Sequence, residues 1–594
     1  MTIGPHTHLP SRASLTAWSC WTPALAPDGG SVAFGSDLDG SPRVWIRPLR
    51  PEAPARPVDT GPHPVVDVHW APTGGRLAVQ LAPGGGEHTQ VWTVRPDGGD
   101  LRPLAAPPGG SASFVRWTGR GEVLLVAETD ASGRAEAVLA DAGTGGRQVV
   151  AAGTLLRPAA VSRDHATLLL RRGPRGARRM SLHDVRHGER ELLSELPGST
   201  DYGILSPDGG TAYLLSDAGR DRAALLAVHH DGAAEVLAER PGADLDQFAL
   251  SADGRRAVLV WNELGRSELD LVDLGTETVV HLPQLPADVV TSIRMALDGG
   301  RAVLAAEGPG RPSQVFLCDL QNGAFEPVAG EGLLPDAARA EPVRFPARDG
   351  LELTGWLYRP PDASGRAPYV VFLHGGPEDQ ERPTFNPLFQ HLLASGIGVF
   401  APNVRGSSGF GRAFREADDR ERRFRAIDDV ADCAAELDRL GLADPRRIAC
   451  MGWSYGGYLT LAALVAHPAL FRAGVDVCGI ADFETFYART EPWIAAAAVR
   501  EYGHPDADRD LLRALSPLRS LDRVRAPLLV VHGARDTNVP LHQAEQVIEA
   551  AAALGLPCDH LVFEDEGHEI RRVSNRVAYI TTVVHWLAEH LITR

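Results

Sequence analysis

The chain has 594 residues, 44% of them apolar and 23% charged, which suits a folded protein of two or more domains. Its net charge of −17 argues against nucleic acid or an anionic membrane surface as a partner. There is no lysine, so all 59 basic residues are arginine, a pattern that reads as genomic base-composition bias rather than chemistry.

The N-terminal Met1-Thr2-Ile3-Gly4-Pro5-His6 lacks a charged start and an apolar core, so no signal peptide is expected, and His6 and His8 do not make a metal pattern. A repeat then runs to about residue 335. A turn of the form Pro-Asp-Gly recurs every 44 to 47 residues, near Asp28, Thr73, Arg120, Asp164, Asp208, Asp253 and Asp298. Each is followed by a short apolar strand, such as Val32-Ala33-Phe34 or Ala257-Val258-Leu259-Val260-Trp261. Short strands at a period of roughly 40–50 residues mean β-propeller blades, and seven turns mean seven blades. The third and fourth turns are degenerate. A propeller leaves a central channel that can restrict access by size.

The boundary is expected near Glu331-Gly332-Leu333-Leu334-Pro335-Asp336, dividing residues 1–335 from 336–594. Beyond it, Pro342–Phe345 and Leu351–Tyr358 alternate like an antiparallel edge hairpin. Strands and helices then alternate to the end, with helices over 427–440 and 541–553. That order argues a doubly wound, mostly parallel sheet with helices on both faces, the α/β-hydrolase arrangement. Six cysteines (20, 318, 433, 450, 478 and 558) without C-x-x-C spacing read as reduced, mostly buried thiols. No run approaches the roughly 18 apolar residues of a membrane span, and a cytoplasmic location is expected.

The chemistry centres on Gly452-Trp453-Ser454-Tyr455-Gly456. It reads G-x-S-x-G, between an apolar run (Arg447–Met451) and a helical one (Gly457–Leu464), the turn that lifts a serine off a strand end. A serine hydroxyl needs a base, usually a histidine held by a carboxylate. Asp536 follows the strand-like Leu528–His532, and His568 follows Leu561–Phe563, in the chain order Ser, Asp, His. Asp536 also has the position of a helix cap, whereas Glu564, Asp565 and Glu566 read as solvated loop charges. The Tyr455 amide supplies one oxyanion donor. The second is expected from the Gly-rich turn after Tyr369–Leu373, at His374-Gly375-Gly376-Pro377, where His374 reads as a turn residue.

A propeller followed by a Ser-Asp-His hydrolase domain resembles the prolyl oligopeptidase family of serine peptidases. His374-Gly375-Gly376-Pro377, Pro402–Gly411 and Gly452–Tyr458 look most like its acylaminoacyl-peptidase and aminopeptidase branch. The resemblance implies Ser454 as nucleophile, Asp536 and His568 as its partners, and the Gly376 and Tyr455 amides as the oxyanion hole. It implies no metal and no organic cofactor. Acylaminoacyl-type relatives can carry an arginine two residues past the triad aspartate; here Asn538 stands there, as in dipeptidyl-peptidase-like relatives. A free substrate amine needs a carboxylate, and Glu378 and Glu491 are the candidates. The segment after Ala473–Gly479, with Phe486, Trp493 and Ile494, is the expected apolar pocket.

The expectation is therefore a serine exopeptidase or amidohydrolase that removes a free or acylated N-terminal residue from short peptides or aminoacyl amides. Homo-oligomerisation stays open. The alternatives are a carboxylesterase, a dipeptidyl-peptidase-like enzyme and, least favoured, a binding module with an inert hydrolase domain.

Overall fold

The computed structural model describes residues 12–184, 188–335, 337–361, 363 and 365–593. The N-terminal leader reading, His6, His8 and the boundary residue Asp336 lie outside them. Among the described residues, 20–329 form seven four-stranded sheets, each with its strands in chain order: blade 1 over 20–58, blade 2 over 65–105, blade 3 over 111–154, blade 4 over 156–192, blade 5 over 200–238, blade 6 over 244–281 and blade 7 over 289–329. All pairings within these blades are antiparallel. The seven-bladed propeller expected from the repeat is thus present.

The blades stack because alternate residues of each strand face opposite neighbours. On the second strand of blade 6 (Arg256–Glu263), Val258 and Val260 join the core shared with blade 7, whereas Leu259 and Trp261 join the core shared with blade 5. Blades 7 and 1 close the ring where Cys20, Val32 and Phe34 pack on Val303, Val315 and Val328 and the Ser313 hydroxyl donates to the Cys20 carbonyl at 2.7 Å.

The recurring turn joins the first strand of each blade to the second. In blade 5 the Asp208 carboxylate accepts the Gly210 amide at 3.0 Å and the Ser206 hydroxyl at 2.5 Å, and Gly209 takes φ +76°. A methyl group on Gly209 would lie 3.2 Å from Ser162 of the preceding blade's turn, so the turns also touch around the ring. The degenerate fourth turn keeps this conformation without glycine, since His165 stands in the left-handed region at φ +62°.

Antiparallel alternation sends the turns between second and third strands to the opposite face, and there all seven blades meet the C-terminal half. Asp37 of blade 1 pairs with Arg576 at 2.9 Å. Glu87 of blade 2 reaches the His568 amide at 2.6 Å. A methyl on Gly133 of blade 3 would lie 2.9 Å from Pro492. Arg175 of blade 4 donates to the Glu378 carbonyl at 3.1 Å, and Asp217 of blade 5 pairs with Arg415 at 2.7 Å. Gly265 of blade 6 accepts from Arg382 at 2.9 Å, and Pro309 of blade 7 from Gln390 at 2.7 Å.

The C-terminal half is built on one eight-stranded sheet. We number its strands β1 (Glu341–Pro346), β2 (Glu352–Tyr358), β3 (Ala367–Leu373), β4 (Gly398–Asn403), β5 (Ala443–Trp453), β6 (Ala473–Val477), β7 (Leu528–Gly533) and β8 (Cys558–Phe563). The spatial order is β1-β2-β4-β3-β5-β6-β7-β8, antiparallel through β1, β2 and β4 and parallel from there on. Tyr369, Val371 and Leu373 of β3 face one core with the helices Arg423–Arg439, Tyr455–Ala466 and His542–Leu554. Val370 and Phe372 face the other, with Pro387–Ala394 and Val573–Leu591. No helix among the described residues is long and apolar enough to cross a membrane.

Glycine at the left-handed turn position avoids a strain of about 1–2 kcal/mol. His165→Gly should therefore raise stability by about 0.5–1 kcal/mol after the extra entropy of the unfolded glycine is subtracted. By the same balance Gly209→Ala should lower it by about 0.5–1 kcal/mol. The urea midpoints of the two variants check both signs.

Candidate active site

Ser454 stands directly after β5 and before the helix Tyr455–Ala466, at φ 56° and ψ −115°. A non-glycine residue held in such a region stores about 1–3 kcal/mol and persists only where its surroundings over-determine it. Here the surroundings are backbone. A methyl on Gly452 would lie 2.3 Å from the Gly456 carbonyl carbon, and one on Gly456 would lie 2.0 Å from the Leu373 carbonyl oxygen. Only glycine lets the helix start this close to β5 and β3. The Ser454 amide donates to the Val477 carbonyl at 2.7 Å, tying the turn to β6.

Asp536 follows β7 and His568 follows β8. The Asp536 side chain is fully buried, and its Oδ2 accepts from His568 Nδ1 at 2.6 Å. Its Oδ1 accepts the Asn538 and Val539 amides, each at 2.9 Å. One carboxylate thus both closes its own turn and orients the imidazole, but it caps no helix, since the next helix begins at His542 with Leu541 at its N-cap. Burial pulls His568 down, but the Asp536 hydrogen bond and charge outweigh it and hold the imidazole above its ordinary value of 6.5. The Trp453 indole donates to the His568 carbonyl at 3.2 Å, which sets the histidine loop beside the Ser454 turn. Among the described residues, the Ser454 hydroxyl and His568 Nε2 make no hydrogen bond. Contacts of that kind often tighten only with substrate in place.

The histidine loop also leans on the propeller. Besides the Glu87 carboxylate on the His568 amide, Gly84 and Gly86 carbonyls of blade 2 accept from Arg535 and Arg571. The glycine run 84–86 exists for this approach, because a methyl on Gly85 would lie 2.6 Å from the Asp565 carbonyl oxygen. Glu566 corrects the expectation of a solvated charge: it is fully buried and accepts the Arg571 amide at 3.1 Å, the Arg572 amide at 2.9 Å and the Asn575 amide nitrogen at 2.8 Å. A carboxylate ahead of the Val573–Leu591 helix satisfies amide groups and complements the helix dipole.

Tyr455 is the first residue of its helix, so its N–H has no intrahelical acceptor and points from the helix start. The turn after β3 lies alongside, since a methyl on Gly375 would sit 3.5 Å from Ser454 Cβ. His374 holds that turn, bonded to the Gly375 carbonyl at 2.7 Å and to Ser407 at 2.8 Å. Below, the Tyr455 ring stacks on a fully buried Arg423, whose guanidinium lies 4.9 Å from the centroids of both Tyr455 and Tyr502. Arg423 pairs with Asp418 and with Glu501 at 3.1 Å, and donates to the Tyr455 hydroxyl at 2.7 Å. Asp418, Asp419 and Glu501 are close enough together to hold a cation, and the guanidinium is the cation they face. Nothing in the local sequence announces this cluster. A second group with that spacing, Cys478, His532 and Asp536, contains the carboxylate already bonded to His568.

The substrate-side candidates divide. Glu378 is buried against Arg415 at 3.6 Å, and burial together with Glu501 pushes its carboxyl up to about 8. Glu491 accepts from His88 of blade 2 at 2.7 Å. Phe486 is buried among Phe483 and Tyr487. Trp493 is 43% exposed beside blade 3, and Ile494 is partly buried on the same helix. Asn538 accepts from Thr490 through its carbonyl at 2.7 Å, while its side-chain amide is unbonded among the described residues.

Residues 383–593 match the sequence profile of the prolyl oligopeptidase family. The chain is 27% identical over 607 residues to dipeptidyl aminopeptidase BIII of Pseudoxanthomonas mexicana, across 96% of this chain and 86% of that one. Its fold matches that of a puromycin-hydrolyzing peptidase of Mycobacterium tuberculosis with a TM-score of 0.87 at 22% identity, over 100% and 98% of the two chains. A puromycin hydrolase gives a TM-score of 0.84 at 23% identity, over 99% and 98%.

Two measurements probe this site. His568 should titrate above 6.5 by imidazole NMR, its protonated form persisting to higher pH than in a free histidine. Asp536→Asn should lower it, because burial is then opposed only by the weaker pull of Glu569 and Glu87. Arg423→Met should cost about 3–5 kcal/mol in denaturant unfolding, since it leaves Asp418 and Glu501 buried without their cation.

Proposed function

Because residues 383–593 match the prolyl oligopeptidase family, we propose that the chain is a serine exopeptidase that removes the N-terminal residue, free or acylated, from short peptides or aminoacyl amides. Ser454 attacks the scissile carbonyl and His568 Nε2 takes its proton. Asp536 holds the imidazole by Nδ1 and stabilises the imidazolium. The Tyr455 and Gly376 amides receive the charge that develops on the carbonyl oxygen. His568 then protonates the leaving amine, the acyl-enzyme forms, and a water activated by the same imidazole releases it. No metal or organic cofactor enters these steps. The observation that carries this reading is the 2.6 Å bond between Asp536 and His568, with Ser454 held in a strained turn at the end of a strand of the same sheet.

In this reading residues 1–335 restrict access and residues 336–594 do the chemistry, so large folded proteins are poor substrates. Trp493 and Ile494 meet the substrate side chain, and the unbonded Asn538 amide donates to a substrate carbonyl. Glu491 is the better amine anchor of the two glutamates, since Glu378 is buried against Arg415 and burial raises its carboxyl above the ordinary carboxylate range. The unpaired thiols suit a reducing, cytoplasmic compartment. One observation favours a dipeptide-releasing variant: a relative matched along 96% of this chain is named a dipeptidyl aminopeptidase.

Paired free and N-acetylated aminoacyl and dipeptidyl nitroanilides, with nitrophenyl esters alongside, separate these outcomes. Nitroanilide turnover is expected, reduced on the order of 10⁶-fold in Ser454→Ala together with loss of fluorophosphonate labelling. Ester turnover without any nitroanilide cleavage would refute the peptidase reading.

A further inference from the structure

An arginine cluster on the propeller side takes no part in the steps above. Arg157 lies on the first strand of blade 4, and the antiparallel register sets it directly opposite Arg171 on the second. Directly opposed residues project from the same face of a sheet, and like charges there repel. Arg178 stands across the following turn, its Nη1 3.2 Å from Asp201 Oδ1, while Arg171 Nη1 donates to the Asp201 carbonyl at 2.8 Å. Arg157 makes no hydrogen bond or ion pair among the described residues. Asp67 of blade 2 also acts on Arg157 electrostatically, but it is bonded to Arg294 at 2.9 Å and to His69 at 2.7 Å. Of the three guanidinium groups, Arg178 holds the Asp201 carboxylate and Arg171 its carbonyl, and Arg157 is left without a bonded anion among the described residues.

The titration behaviour agrees. Burial, then repulsion from Arg178, holds Arg157 below the usual arginine value, and burial with Arg178 and Arg157 pushes Arg171 down to about 9. Arg157 is nevertheless open to solvent. Arg157 sits on the first strand of blade 4 and interacts with Asp67 on the first strand of blade 2, two blades away, which points its side chain into the central channel that these strands surround. The position is specific. Arg171 and Arg178 bracket the turn whose Arg175 donates to the Glu378 carbonyl, two residues past Gly376. At about 3.3 Å per residue, the Arg171 backbone stands no more than about 13 Å from that of Arg175, so a short extended peptide is the length of ligand that fits between the two regions.

We propose that Arg157, with Arg171 and Arg178, binds the C-terminal carboxylate of the short peptide whose N-terminal bond Ser454 cleaves, an assignment that rests on the peptidase reading above. A planar guanidinium fork matches a carboxylate in two parallel hydrogen bonds. Every unmodified short peptide brings that anion with it. A chain of net charge −17 repels anions elsewhere, so a local cation cluster inside the channel directs the carboxylate end of the peptide. The cluster then acts as a ruler, favouring peptides just long enough to reach it and Ser454 together.

The test uses the full-length Ser454→Ala protein, which binds without cleaving. Calorimetry compares tetra-alanine with tetra-alanine amide at low ionic strength. The free acid should bind about tenfold tighter, the gain from one charge-assisted hydrogen bond. Adding Arg157→Gln should bring the acid-to-amide ratio to about one, and Arg157→Lys should keep part of it. Equal binding of acid and amide, or a preference that survives Arg157→Gln, overturns the proposal. An Arg157-dependent preference together with no nitroanilide cleavage by the protein that retains Ser454 refutes the peptidase reading and leaves the anion site standing.

Discussion

The hydrogen bond from the His568 amide to the Glu87 carboxylate joins the two halves of the molecule at the loop on which the site depends. The imidazole that Asp536 orients is carried by backbone that a propeller blade holds from the other side. Bonds of this charge-assisted kind are short and directional. The spacing between propeller and sheet is therefore coupled to the placement of the histidine. Gly85 shows how tightly the interface is drawn there, since its backbone packs on the carbonyl of Asp565 with no room for a side chain. Separation of the lobes at blade 2 would move His568 before it moved Ser454, whose turn is fixed from within the sheet by Leu373 and Val477.

Beneath the nucleophile the construction is electrostatic. Arg423 lies in a shell of Asp418, Glu501 and two tyrosine rings with no exposure to solvent. Buried ion clusters add little net stability compared with apolar packing, but leaving one partner unpaired is expensive. Such a cluster fixes the one arrangement that satisfies every charge. Here the fixed object is the Tyr455 ring, and with it the start of the helix whose first amide lies beside Ser454.

Much of this was legible in the residues because it is local. The Pro-Asp-Gly turns carry their own hydrogen bonds, so the repeat could be counted even where His165 replaces glycine. Ser454, Asp536 and His568 each follow an apolar strand within a few residues, and parallel strands bring such loops to one edge. The remainder arises between segments far apart in the chain. Glu87 approaches His568 across 481 residues, and Arg423 approaches Glu501 across 78. No periodicity encodes either contact. Glu566 read as a loop charge because its partners, Arg571, Arg572 and Asn575, are two amides and a side chain that only the fold turns toward it. An aromatic run such as Phe483, Phe486 and Trp493 leaves core and cleft indistinguishable in sequence, and the structure buries the first two while exposing the third.

The division of labour between the two faces of the propeller has one further consequence. The turns between second and third strands are committed to the hydrolase half, whereas the Asp-Gly turns on the opposite face meet neighbouring turns and the ends of their own blades' third strands, as where the His230 amide donates to the Gly210 carbonyl at 3.0 Å. Asp208 and its equivalents form a ring of short, self-bonded loops remote from the cavity. That outer rim is where foreign segments, such as epitopes, fluorophores or a tethering domain, could be spliced into the chain without disturbing the enclosed chamber.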